Sequence, residues 1–242
     1  MDLLYPITEI YLDRTASTNS FLLNKNVSFK EWTVVSARIQ EAGKGYRGNT
    51  WKSDAGKNLT FSIYIKPDCL IEQIFYLNKL VSNAIHKTLQ AFISCKIKWP
   101  NDIIINHKKA GGILIENVLG EKVNSSVIGI GLNINQIYFT NLPKATSLKN
   151  ETGLHFNLDE LRNSIIFNFQ KEYQLLINQE FERIDHYFQK HLYKKDQVGV
   201  FKIQNQLENG IIKGTTPEGK LIIDLEKQGL QTFQLKEIEM MY

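Results

Sequence analysis

QEAGKGYRGNTW, residues 40–51, separates two strand-like runs, WTVVSARI at 32–39 and NLTFSIYIK at 58–66. Within it stand three glycines, Lys44, Arg47 and Trp51. A glycine-rich link of this kind lets backbone N–H groups and positive charge come close to an anion, because no Cβ blocks the approach. A plain turn between strands is the competing reading. The stretch is not a P-loop, since no Gly-Lys-Ser/Thr follows at the required spacing, and not a dinucleotide fingerprint, since no helix opens after the glycines. Two further segments give it company: KWPND at 98–102 and KAGGILIE at 109–116.

The chain has 242 residues, 43% of them hydrophobic and 22% charged, which is the composition of a soluble globular protein with room for a substantial core. A net charge of +4 suits a polyphosphate or an acidic protein partner and falls short of a nucleic-acid-binding signature. The opening residues carry neither a basic n-region nor a long apolar run, so no signal peptide or membrane span is expected, and the location read from the sequence is cytoplasmic. Cys69 and Cys95 lack metal-ligand spacing and read as free thiols; no metal site is expected from side chains alone.

Along the chain, Ile7 to Leu12 reads as a first strand, and Ser17 or Thr18 as the cap of a short helix around Phe21 to Leu23. Glu31 to Arg38 reads as a buried strand and Asn58 to Ile65 as another strand. Leu70 to Phe92 has helical spacing, with His86 among its polar positions and therefore read as a surface residue. In KWPND, Pro100 lacks an N–H and restricts Trp99, so a fixed irregular link interrupts a ladder; the run IIIN, a turn at Asn106 to Lys108 and the strand Gly112 to Glu116 then form a hairpin. Val127 to Asn135 is a buried strand whose Gly129 and Gly131 let something approach the backbone. Leu158 to Leu192 is helical with a break near Asn178. Beyond Tyr193, runs at 198–203, 210–215, 220–225 and 230–235 are short strands between turn signals, which reads as a small β-barrel. The expected domains are 1–193 and 194–242.

Several residues have both a structural and a ligand-binding reading. Ser17 can simply cap; Trp51 can fill core or stack on a purine; Asp102 can close a turn or orient a cation. Gln40 offers an amide that both donates and accepts, which suits a urea-like ligand.

Taken in order, S17-T-N19, the 40–51 loop, KWPND, K109-x-x-G-I-L-I-E116, GIGLN at 129–133 and ATSL at 145–148 resemble the biotin protein ligases over nearly the whole chain. The resemblance implies an α+β fold, a mixed β-sheet flanked by helices of the class II synthetase type, with an SH3-like C-terminal barrel. It implies the ligase-only form, without a DNA-binding domain. The implied reaction joins biotin to ATP as biotinyl-5′-AMP and then to a lysine of a biotin carboxyl carrier domain, with Mg2+ accompanying ATP. No enzyme nucleophile is needed; cations and N–H donors fixed at the reacting oxygens are.

By position in those motifs, the resemblance makes Lys109, Asp102 and Arg47 catalytic. It assigns biotin to Ser17, Thr18, Asn19, Gln40, Lys44, Gly45, Tyr46, Lys109 and Gly112, and ATP to Lys44, Arg47, Trp51, Asn101 and Asn133. Asp102 would place metal or the attacking amine, or accept its proton. One departure concerns retention of the adenylate: many members carry arginine where this chain has Tyr46, so Arg47 is expected to supply the phosphate contact. Partners are the carrier domain, biotin and ATP, with no DNA and no membrane; a homodimer is left open. A lipoate or octanoate transferase, a biotin-sensing repressor and a purely structural domain are the competing classes.

Overall fold

A computed structural model describes residues 3–45 and 48–241. Its first and larger sheet has seven strands in the order β1-β2-β3-β7-β6-β5-β4. These are β1 Thr8–Thr15, β2 Thr33–Gln40, β3 Leu59–Ile65, β4 Lys96–Lys98, β5 Asp102–Ile105, β6 Lys108–Leu119 and β7 Val123–Leu132. Only β1 and β2 run parallel; the other neighbours are antiparallel. A parallel pair needs a crossover, and α1, Thr18–Leu22, lies in it.

Alternation along β3 and β7 separates two faces. Phe61, Ile63, Ile128 and Ile130 point into the main core with the long helices α2, Ile74–Leu89, and α4, Leu158–Ile177. Val127, with Val35 of β2 and Leu22 of α1, makes a smaller cluster on the opposite face. Gly129 and Gly131 share the parity of Val127, so the sheet is thinnest on the α1 face.

The expected helix at 70–92 is shorter, because residues 71–73 form a single 3-10 turn before α2 begins. The break near Asn178 is present: Asn178 ends α4, Gln179 takes φ 57°, and α5 runs Phe181–Lys190. The hairpin of β5 and β6 turns through Asn106 and His107, both at positive φ, as a two-residue primed turn requires. The short helix α3, Leu148–Thr152, capped by Ser147, was not foreseen. His86 corrects the surface reading. It is 3% exposed, with Nε2 3.1 Å from the Cys95 carbonyl oxygen and Nδ1 3.0 Å from the Tyr187 hydroxyl, because α5 covers that side of α2. Cys69 and Cys95 are buried free thiols, and burial pushes them up to about 11 and about 12.

The C-terminal strands are β8 Val198–Ile203, β9 Gln206–Thr215, β10 Leu221–Leu225, β11 Gly229–Phe233 and β12 Ile238–Met241. They pair antiparallel in the order β11-β10-β9-β8-β12 around their own small core of Phe201, Ile212, Ile223 and Phe233. Among the described residues this is an open five-stranded sheet rather than a closed barrel, and β12 is a strand the sequence pattern did not announce.

The two sheets meet at Trp99. Its ring packs against both cores and its Nε1 donates to the Gly219 carbonyl oxygen at 2.9 Å. Beside it Lys79, fully buried, pairs with Asp185 at 2.6 Å, and Gln189 of α5 donates to the Thr215 hydroxyl at 2.9 Å. No helix among the described residues is long and apolar enough to cross a membrane.

Candidate active site

A cavity of about 570 Å³ opens between the α1 face of the large sheet and the C-terminal sheet. That size suits a cofactor-scale ligand. Ser17, Thr18, Asn19, Gln40, Lys44, Gly45, Trp51, Asn101, Asp102, Lys109 and Gly112 all line it, so most of the residues singled out by sequence converge in one place. Five lysines, Lys44, Lys98, Lys109, Lys202 and Lys236, face three carboxylates, Asp102, Glu237 and Glu239, and the balance favours an anionic occupant.

At one end, Ser17 caps α1 by accepting from the Ser20 N–H. The capping reading and the ligand-facing reading therefore hold together: the cap is what aims Thr18 and Asn19. β2 delivers Gln40 beside them, and its Oε1 accepts from the Thr18 backbone N–H at 2.8 Å. Behind them Ser62 of β3, fully buried, touches Thr18 Oγ1 at 2.7 Å and Asn19 Oδ1 at 2.6 Å. Asn19 reaches over Gly129, where a Cβ would stand 2.2 Å from its Oδ1.

The glycine loop folds back on itself: Gly45 N–H donates to Asn49 O at 2.7 Å and Trp51 N–H to Gly43 O at 2.8 Å. Trp51 then lies on β7 at Gly131, where a Cβ would come within 2.6 Å of the indole. Its Nε1 is buried and has no acceptor among the described residues. Tyr46 and Arg47, assigned from the sequence to biotin and phosphate, lie outside the described residues.

At the other end, the 98–102 link carries a cis Trp99–Pro100 bond and is pinned by Asn101, whose amide donates to the Ile113 carbonyl at 2.6 Å. Asp102 pairs in register with Gly112. Lys109 arches over that glycine so that its Nζ meets Asp102 Oδ1 at 2.6 Å; a Cβ on Gly112 would stand 3.4 Å from the ammonium. Asp102 is the more buried partner, with 19% of its side chain exposed against 39% for Lys109. Lys109 is also held through its backbone, donating to Lys144 O at 2.7 Å and accepting from Thr146 N–H at 2.9 Å.

Asn133 departs from its expected place. It is not on the cavity wall; its amide donates to Thr146 O at 3.0 Å and its carbonyl accepts from Leu148 N–H. It thus fastens the 145–148 segment that fastens Lys109. Sequence reasoning missed Ser62 and the C-terminal wall. A serine at the centre of the largely apolar run 59–65 was the available signal for the first; no local signal exists for the second.

Chemically, the arrangement pairs a small polar pocket with a part-exposed ammonium held against a carboxylate, and between them lies room for an anion. Residues 11–133, just over half of the chain, match the family model described as biotin/lipoate A/B protein ligase family. The chain belongs to that family. Its fellow members include the bifunctional ligase/repressor BirA of Bacillus spizizenii, 31% identical over 96% of this chain and 73% of that protein. The biotin–[acetyl-CoA-carboxylase] ligase of Paracoccus denitrificans is 33% identical over 51% of this chain and 53% of its own length. Among solved structures of the family, the Aquifex aeolicus biotin protein ligase in complex with biotin and ATP superposes with a TM-score of 0.82, at 23% identity, over 96% of this chain and 98% of that one. The mixed sheet flanked by helices is therefore the ligase fold.

Proposed function

We infer that the protein is a biotin protein ligase, which activates biotin with ATP and transfers it to a lysine of a biotin carboxyl carrier domain. The observation that carries this reading is the Lys109–Asp102 pair bridging Gly112 in the same cavity as the Thr18, Asn19 and Gln40 pocket. The names of its relatives support it.

In the first step a carboxylate oxygen of biotin attacks the α-phosphorus of ATP and pyrophosphate leaves. Two anions must meet, and the Lys109 ammonium lowers that repulsion and stabilises charge on the bridging oxygens. In the second step the carrier lysine's amine attacks the acyl carbon, the amide forms, and AMP departs. The amine must shed a proton, and Asp102, once Lys109 turns to the phosphate, is the carboxylate placed to take it. Thr18, Asn19 and Gln40 hold the ureido head, Trp51 and Asn101 the adenosine, and Lys44, with Arg47 beyond the described residues, closes over the adenylate.

Mg2+ fits as a companion of ATP. No group of three potential ligands occurs among the described residues, whereas one carboxylate plus phosphate oxygens is an ordinary magnesium set, and Asp102 would supply the carboxylate. Bound there, the ion would offset phosphate charge.

We read 1–193 as the catalytic domain and 194–242 as an SH3-like domain that closes the cavity. The proposed setting is the cytoplasm, with the carrier domain as partner, no DNA or membrane among the ligands, and a homodimer as an open arrangement. Intact-mass analysis of a carrier domain incubated with the protein, Mg-ATP and either biotin or lipoate tests this. A single biotin adduct that vanishes when the acceptor lysine becomes arginine is expected; a lipoyl adduct would reassign the substrate.

A further inference from the structure

We propose that Glu116 and Ser62 are positioning residues that fix the direction of hydrogen bonding in the polar pocket, so that Thr18 Oγ1 faces the ligand as an acceptor and selects a ring N–H. The proposal rests on the biotin reading above. Asn19 Nδ2 lies 2.7 Å from Glu116 Oε2 and 3.2 Å from the Leu114 carbonyl oxygen. A carboxylate and a carbonyl only accept, so the nitrogen must be the atom on that side and Asn19 Oδ1 must face Ser62.

Ser62 Oγ stands 2.6 Å from Asn19 Oδ1 and 2.7 Å from Thr18 Oγ1, yet it has one proton. Asn19 Oδ1 has none, so the Ser62 proton fills the 2.6 Å contact. The 2.7 Å contact then needs the Thr18 proton. If that proton pointed instead at Gln40 Oε1, 3.1 Å away, two oxygens would meet at 2.7 Å with no hydrogen between them. Donation therefore runs from Thr18 to Ser62 to Asn19, with Glu116 and Leu114 holding the far end. Thr18, Asn19 and Ser62 are 3%, 3% and 0% exposed, so water does not relieve a reversed arrangement.

The outward consequence is specific. Thr18 Oγ1 keeps its lone pairs for the ligand, and Gln40, whose Oε1 is occupied by the Thr18 N–H, offers its Nε2 as a donor. An acceptor beside a donor complements the N–H and C=O of a cyclic urea.

Titration calorimetry of biotin alone, of ATP alone and of the two cyclic-carbamate analogues of biotin, each with one ureido N–H replaced by oxygen, tests this in wild type, Glu116→Gln and Glu116→Lys. Wild type should bind one carbamate about tenfold or more weakly than biotin. Glutamine can donate as well as accept and lysine only donates, so either variant should weaken biotin, lysine more, and bring biotin and that carbamate to within about threefold of each other. ATP affinity should not change. Thermal melts identify which variants fold, and the glutamine variant decides if the lysine one does not. A folded variant that keeps both the biotin affinity and the discrimination of wild type overturns the proposal, whereas wild type that binds no biotin overturns the functional reading instead.

Discussion

Lys109 and Asp102 face each other across a glycine, and each holds the other in place. The pair is part-exposed, so it contributes little to stability and its worth lies in position. Lys109→Gln should keep the fold and lower the rate of pyrophosphate release by about 10²- to 10³-fold, measured in single-turnover assays with biotin and Mg-ATP. His86 offers a different test. Burial is the main cause that pulls its imidazolium down to about 4, with the nearby His191, Lys96 and Lys87 adding repulsion. Its folded value lies below the unfolded one, so the unfolded chain binds the extra proton between those values. Stability is fully present above about 6.5 and is lost as pH falls toward about 4, by on the order of 3 kcal/mol. Denaturant melts across that window should show the slope in wild type and a flatter one in His86→Gln.

At the scale of elements, the sheet is shaped to receive side chains rather than to bury them. Gly129 leaves space that Asn19 fills. Gly129→Ala should displace Asn19 and weaken biotin binding by about tenfold or more while ATP binding stays near wild type, as separate titrations would show. Much of this level was legible in the sequence because its signals are local. A cap followed by small polar residues marked Ser17 to Asn19, a strand ending in an amide marked Gln40, and the 98–116 spacing marked Asp102 and Lys109. Ser62 was hidden because its meaning depends on a partner 44 positions away. His86 misled because helical spacing shows which side of α2 is polar, and not that α5 arrives to cover it with Tyr187 and His191. Asn133 sits in a motif yet turns away from the cavity, because β7 ends at Leu132 and the next residue's amide is drawn to the Thr146 carbonyl of the 145–148 segment.

Across the whole molecule, one cavity is built by two sheets, and the junction between them governs whether it is intact. Trp99 leads directly into the Asn101 and Asp102 link while its indole is tied to Gly219 of the second sheet. Trp99→Phe keeps a ring and removes the donor; it should cost about 1 kcal/mol and raise the apparent ATP constant more than the biotin constant, since only the 98–102 end loses its anchor. The ion pair at the same junction, buried on its lysine side, gives a sign contrast. Asp185→Ala strands the Lys79 charge among Phe75, Tyr76 and Phe188 and should destabilise by about 3 kcal/mol, whereas Lys79→Met with Asp185→Ala should return most of it, as chemical denaturation of the three variants would register.

Gly131 and Trp51 should behave genetically as a lesion and its suppressor site. A methyl group at residue 131 would stand 2.6 Å from the indole, so a Gly131→Ala allele is a lesion whose cause is a single neighbour. Smaller residues at position 51 should arise as its second-site suppressors. Because the same indole lines the cavity, they should restore the abundance of the protein without restoring its hold on nucleotide. A selection for growth and a screen for soluble protein would then recover different revertants from the same parent.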